Sequence, residues 1–320
     1  MVCNKFFSRQ KQGLVSLSDF PKFHHLITGG VSRKTLVQSN RVCRKTLSVK
    51  FKPFFDQPIS PESTWSCLPP ALTKTNDSWV LGIDGKWLKR NGVVMIYRDV
   101  THKENIFWSY WSSESYGALF NDLEKLMGLL DGHPPFEVVS DWKGAIVAAV
   151  ANFLPDIPHQ RCLAHVVRET KRLLPKNSGQ LATSALRTIA KWLPHVKTEE
   201  TKRRWLADLI EWERIYGYRL REKTINPETG KKWWYTHGNL RRAWRLLTDD
   251  WYPFFIHLDQ PLIPSSNNSL EGVNSQIKKQ LGNHRGMKTP QQVSFLFWYL
   301  AFTRTKSKPD LKKIWDGWKT

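Results

Sequence analysis

Short apolar runs come first in this chain and long helical stripes follow. Trp79 to Ile83 is an apolar stretch ending at Asp84. Asn91-Gly92 then signals a two-residue hairpin turn. Val93 to Tyr97 reads as the return strand and Ile106 to Trp111 as a third. Tyr116, Leu119, Phe120, Leu123, Met127 and Leu130 fall at helical spacing, and Pro134-Pro135 breaks that helix. Phe136 to Val139 reads as a fourth strand ending at Ser140-Asp141, and Ile146, Val147, Val150 and Phe153 mark the next helix. From residue 166 to about 262 the pattern is almost wholly helical. Trp205, Leu209, Trp212 and Tyr216 there share one apolar face. After Pro264 a last long helix starts near Ser269 and carries Glu271.

Strand-strand-strand-helix-strand-helix is the order of an α/β, ribonuclease-H-like mixed sheet. That fold places one acid on its first strand and another at the end of its fourth. The chain then divides into the first part of such a core (76–165), an all-α insertion domain (166–262) and a final part with the third acid and C-terminal helices (263–320). Ahead of them, Ser32 to Gln38 and Val42 to Phe51 read as two short helices broken by Ser39-Asn40-Arg41. Two short helices with a tight turn suggest a helix-turn-helix within residues 1–75. In that reading Arg44, Lys45 and Lys50 on the second helix reach phosphates or guanine edges. The alternative is a small basic hairpin packed on the rest of the protein. Pro53, Pro58, Pro61, Pro69 and Pro70 suggest a linker ending near Asn76.

Charge narrows the partner. The chain carries 49 Lys and Arg against 28 Asp and Glu, a net +21, which makes a polyanion, nucleic acid above all, the leading partner. Residues 1–75 hold 12 of those cations and 3 acids. No apolar run approaches 18 residues and no signal-peptide pattern is visible, so no membrane partner and a soluble, unexported protein are expected. Cys3, Cys43, Cys67 and Cys162 are scattered, without disulfide or zinc spacing, which fits a reducing cytoplasm.

Against that basic background, three acids stand at element ends. Cutting or joining a DNA backbone is an in-line displacement at phosphorus, which two divalent ions can promote. Mg²⁺ takes hard oxygen ligands and keeps several waters, so a few converging carboxylates hold it; Mn²⁺ is expected to substitute. Asp84 and Asp141 end neighbouring strands, and Glu271 can close the site from a helix. Each also has an ordinary explanation. Asp84-Gly85 can be a strand-end turn, Asp141 an N-cap for a helix starting at Trp142, and Asn268 with Glu271 a capping box.

Motifs in order then make the chain resemble the Mutator-like superfamily of bacterial insertion-sequence transposases, which use a DDE triad of acids. They are Ile83-Asp84-Gly85, Val139-Ser140-Asp141 with Lys143-Gly144, Gln160-Arg161-Cys162-Leu163-Ala164-His165, Trp234-Tyr235-Thr236-His237, Asn267-Asn268-Ser269-Leu270-Glu271-Gly272-Val273-Asn274, and His284-Arg285-Gly286. The resemblance spans about residue 30 to 305. It implies that Asp84, Asp141 and Glu271 bind the metal and serve two steps: hydrolysis at the element's terminal inverted repeats, then attack of the freed 3′ hydroxyl on target DNA. It also implies a homodimer or larger assembly, because two ends must meet, and a cytoplasmic, nucleoid-associated location. Many relatives carry a cysteine-rich zinc module before the helix-turn-helix; here only Cys3 precedes it.

Further residues are weighed on their surroundings. Cys162 and His165 lie one turn apart at a helix start. They suit support of the site or contact with DNA more than zinc, since no partner pair supplies four ligands; core packing of Cys162 is the alternative. Trp233, Trp234 and Tyr235 sit among Lys231, Lys232, Arg241 and Arg242, which suits stacking of one of the three on an unpaired base or plain packing. Lys278 follows Glu271 on the same helix face, and with His284 and Arg285 can meet the phosphate or simply be solvated. Two competing functions remain. One is a domesticated or inactive transposase acting as a sequence-specific DNA-binding protein. The other is a ribonuclease-H-like resolvase, disfavoured by the long helical insertion.

Overall fold

The computed structural model describes residues 15–319 apart from 30, 41, 42, 76, 90, 261, 262 and 285. Four helices open it: α1 (Phe20–Thr28), α2 (Arg33–Asn40), α3 (Arg44–Asp56) and α4 (Pro61–Cys67). Strands β1 (Val80–Trp87), β2 (Val93–Asp99), β3 (Glu104–Trp111), β4 (Glu137–Ser140) and β5 (His159–Arg161) form one sheet in the order β3-β2-β1-β4-β5. The pairs β1–β2 and β2–β3 are antiparallel, whereas β1–β4 and β4–β5 are parallel. Helix α5 (Tyr116–Leu130) leads into β4, and α6 (Gly144–Phe153) follows it. This mixed sheet is compatible with a ribonuclease-H-like fold.

Both faces of the sheet are covered, as the two-residue alternation of strand side chains requires. On β2, Met95 and Tyr97 pack with Leu119, Leu123 and Leu126 of α5 and with Ile146 of α6. Val94 and Ile96 point the other way, into a core shared with the N-terminal helices and with α12 (Asn268–Asn283), α13 (Thr289–Phe302) and α14 (Lys308–Lys319). Helix α5 starts where the Ser115 hydroxyl accepts from the Ala118 N–H, and it ends at Asp131 in a left-handed conformation.

Between β5 and α12 in chain order comes a third core, built by α7 (Leu163–Leu173), α8 (Leu181–Trp192), α9 (Glu199–Tyr216), α10 (Gly238–Thr248) and residues just before α11 (Ile256–Asp259). Trp205, Leu209 and Trp212 bury the predicted face of α9. The block is not all helical. Strands β6 (Lys223–Ile225) and β7 (Trp233–Tyr235) form an antiparallel hairpin within it. Three-residue strands are too short to show alternation, and for the same reason β5 was not foreseen. No described helix is long and apolar enough to cross a membrane.

Three local expectations are corrected. Trp87 pairs with Val93, so the β1–β2 connection spans 88–92 rather than Asn91-Gly92 alone. Strand β1 also runs three residues past Asp84. The proline-rich stretch is largely helical rather than a linker: Pro53 lies inside α3, and Pro61 opens α4 with the Ser60 hydroxyl capping it. A proline at a first helical position lacks only an N–H that would go unused there, so it starts a helix as readily as it interrupts one. Helices α1 and α3 are anchored by aromatic contacts: Phe23 stacks on Phe54 at 4.4 Å and meets the Trp298 ring edge-on at 5.4 Å. The turn expected at Ser39-Asn40-Arg41 falls partly outside the described residues.

Candidate active site

Parallel pairing of β1 with β4 sets Ile83 beside Ser140. The next residue after each is an aspartate, so Asp84, within β1, lies beside Asp141, just past the end of β4. Asp84 is buried. Its Oδ1 accepts from the Gly85 N–H at 2.8 Å, and its Oδ2 accepts from the Asn274 amide of α12 at 2.7 Å. Burial, then repulsion from Asp141, pushes the Asp84 carboxyl up to about 7. Two carboxylates forced together with too little positive charge are the setting that a divalent ion relieves.

Asp141 accepts from the Lys143 N–H at 3.3 Å and from Lys143 Nζ at 3.0 Å. It does not cap α6, which starts at Gly144 with Lys143 as its N-cap. Between them, Trp142 is left-handed at φ +67° with its ring 4.6 Å from that of His159. Bulky residues rarely adopt that conformation. Glu271 lies in the first turn of α12, whose cap is Asn267 with no side-chain capping bond. The capping box is therefore absent, and neither Asp141 nor Glu271 keeps its ordinary structural explanation.

His165, on the first turn of α7, joins the acids. One ligand atom each from Asp84, Asp141 and His165 lie within 4.8 Å of one another, and so do those of Cys162, His165 and Glu271. Among the described residues no such group unites Glu271 with both aspartates. Glu271 instead accepts a hydrogen bond from the Arg168 guanidinium. Burial holds His165 below its usual pKa, which favours the neutral ring. Cys162 is fully buried and its Sγ accepts the Asn267 N–H at 3.1 Å. Its thiol therefore joins α7 to α12 and has no surface to offer DNA.

Sequence reasoning missed Glu114. It lies past the end of β3 with its side chain only 3% exposed, and Lys143 Nζ donates to its Oε2 at 2.6 Å. The Trp87 side chain also hydrogen-bonds this carboxylate. Burial raises the Glu114 carboxyl, although Lys143 opposes this. Burial pulls Lys143 down, but Asp141 and Glu114 outweigh it and its pKa is raised. The signal in the sequence was an acid in a polar segment just beyond a strand end, on the side of the sheet where the aspartates lie. Asn274 was quoted only as part of a motif, and Arg168 carried no mark at all.

The remaining candidates scatter. Arg44 and His284 line one cavity of about 400 Å³ between α2–α3 and the ends of α12 and α13, and Arg285 lies outside the described residues. Lys45 is exposed, whereas Lys50 donates to buried Asp19 at 2.9 Å. Lys278 is exposed. Trp233 and Trp234 on β7 are 51% and 49% exposed, and Lys223 Nζ sits 3.8 Å over the Trp233 ring.

Residues 145–278 match the Transposase IS66 family. The match supports an insertion-sequence transposase. It runs from α6 through the helical block into α12, so it includes Cys162, His165 and Glu271 and stops short of Asp84 and Asp141. It does not point to the Mutator-like superfamily specifically. No curated protein matches the chain.

Proposed function

We propose that the protein is a DDE transposase that hydrolyses phosphodiesters at transposon ends and transfers the freed 3′ strands into target DNA. The observation that carries this reading is the convergence of Asp84 and Asp141 from paired parallel strands, with Glu271 reaching the same His165 from α12. Asp84, Asp141 and Glu271 are the acids that hold divalent cations, Mg²⁺ or Mn²⁺. The crowded carboxylates and the ligand atoms gathered around His165 suit such ions. A bound ion supplies Lewis-acid polarisation of the phosphate and activation of the attacking oxygen.

The chain's own groups do the rest. Asn274 orients Asp84, and Lys143 holds Asp141 while keeping a positive charge beside the reacting phosphate. The Trp233–Trp234 hairpin offers exposed rings next to cations, a surface for an unpaired base. Arg44 and Lys45 on α3 are its DNA-reading cations in the helix-turn-helix interpretation. Kinship with Mutator-like elements rests on motif order alone. The partners are terminal inverted repeats, target DNA and further copies of the chain, in a bacterial cytoplasm at the nucleoid.

The test is cleavage of a labelled fragment bearing the element's end, with Mg²⁺ or Mn²⁺, by wild type and Glu271→Gln. Cleavage lost in the variant while DNA binding persists establishes the enzyme and this acid. Equal cutting removes Glu271 from the mechanism. Binding without cutting by either favours the DNA-binding protein without catalysis.

A further inference from the structure

We infer that His165 supplies a nitrogen ligand to the divalent cation held by Asp84 and Asp141. The inference rests on the proposed function and changes its ligand set, from carboxylates alone to two carboxylates and an imidazole. Three observations carry it. First, His165 is the residue common to both clusters of ligand atoms, and it is the one that completes a triad with the two aspartates. A cation bonded at about 2.0–2.1 Å to nitrogen or oxygen needs its donors closer than 4.8 Å, and small side-chain rotations supply that contraction.

Second, the Nδ1 atom of His165 is buried and has no hydrogen-bond partner. Its nearest acid oxygen is Glu271 Oε1, at 4.0 Å. A buried ring nitrogen left unmet is costly, so this one is poised for a partner that the protein itself does not provide. Third, the acid assigned as the third ligand is already engaged, because Arg168 donates to Glu271. His165 meets the aspartates without breaking such a contact.

The donor set has a consequence for the metal. Mg²⁺ strongly prefers oxygen, whereas an imidazole raises the relative affinity for Mn²⁺ and Co²⁺. His165→Asp restores an all-oxygen set and moves the preference back toward Mg²⁺.

The experiment titrates Mn²⁺ into the full-length chain without DNA and reads bound Mn²⁺ by electron paramagnetic resonance. The ¹⁴N coupling of a directly bonded imidazole is read by spin-echo modulation. Wild type is expected to show that coupling. His165→Ala is expected to lose it, with binding weakened by more than the about 10–100-fold that loss of a residue orienting a ligand costs. His165→Asp is expected to bind Mn²⁺ without the coupling, which guards against a variant that merely fails to fold. Mn²⁺ bound to wild type with no ¹⁴N coupling, or coupling that survives in His165→Ala, overturns the ligand role and leaves the cation site standing. Mn²⁺ that fails to bind wild type, or binds Asp84→Asn equally well, overturns the cation site and this inference with it.

Discussion

The Asn274 side-chain amide donates a 2.7 Å hydrogen bond to Asp84 Oδ2, joining the helix of the third acid to the strand of the first. A donor aimed at a carboxylate favours its charged form and fixes its direction. Asn274→Leu is expected to lower cation affinity and cleavage by about 10–100-fold. Mn²⁺ titration and cleavage of end DNA measure the two effects. Unchanged affinity would show that the amide only fills space.

Asp84 makes stability depend on pH in a definite direction. Its folded pKa is about 7 against an ordinary 3.8. The folded chain therefore binds this proton more tightly than the unfolded chain does. Without cation, stability falls as pH rises from about 4 to about 7 and then levels. Asp84→Asn removes this loss, so at pH 8 it is expected to be more stable than wild type by on the order of 1–3 kcal/mol, while cutting is abolished. Asp122, at about 6, and Glu137, at about 9, add slopes of the same sign. The informative quantity is thus the difference between urea midpoints of variant and wild type at pH 5 and pH 8.

Arg168 occupies Glu271, the acid proposed as the third ligand. Both side chains are partly exposed, so the pair is worth about 1 kcal/mol or less. Arg168→Met is expected to raise Mn²⁺ affinity in the absence of DNA by up to about 5-fold. A fall in affinity would mean that Arg168 orients Glu271 for binding rather than holding it away.

Part of the candidate site was legible because two of its acids stand where hydrophobic runs stop. The runs before Asp84 and Asp141 identified two strands. Their parallel pairing, which brings the acids together, follows once α5 carries the chain back between β3 and β4. What the sequence did not display were contacts between distant segments. Glu114, Arg168 and Asn274 matter through partners 29, 103 and 190 residues away, and no local pattern encodes such distances. Of the N-terminal helices only α2 and α3 were legible; α1 was not foreseen, α4 was hidden by its prolines, and the packing of none was visible. Phe20, Phe23 and Phe54 look like ordinary apolar positions until Trp298 and Phe302 close around them.

Trp142 tests whether backbone or ring matters beside Asp141. Both Trp142→Ala and Trp142→Gly lose the ring contact with His159. Only glycine adopts φ +67° without strain. Trp142→Ala is expected to be less stable than Trp142→Gly by about 1 kcal/mol, read from denaturant midpoints.

The β6–β7 hairpin is expected to serve binding rather than stability. Trp233→Ala, at a half-exposed site, is expected to change folding stability by less than about 0.5 kcal/mol. Its affinity for frayed end DNA is expected to fall by about 5–100-fold, the range for one lost base stack. Gel-shift titration with paired and unpaired ends separates these, because only the unpaired substrate offers a free base face.

Leu47, Phe51 and Phe54 of α3 share one core with Leu270 and Ile277 of α12. Under the proposed function, a duplex gripped by α3 has no hinge about which to swing relative to the acids, and the protein is then expected to measure its substrate as a rigid gauge. Adding one base pair between the gripped bases and the cut turns the helix by about a tenth of a revolution. The cut is then expected to be set by position along the groove, with the severed bond moving to whichever nucleotide arrives there.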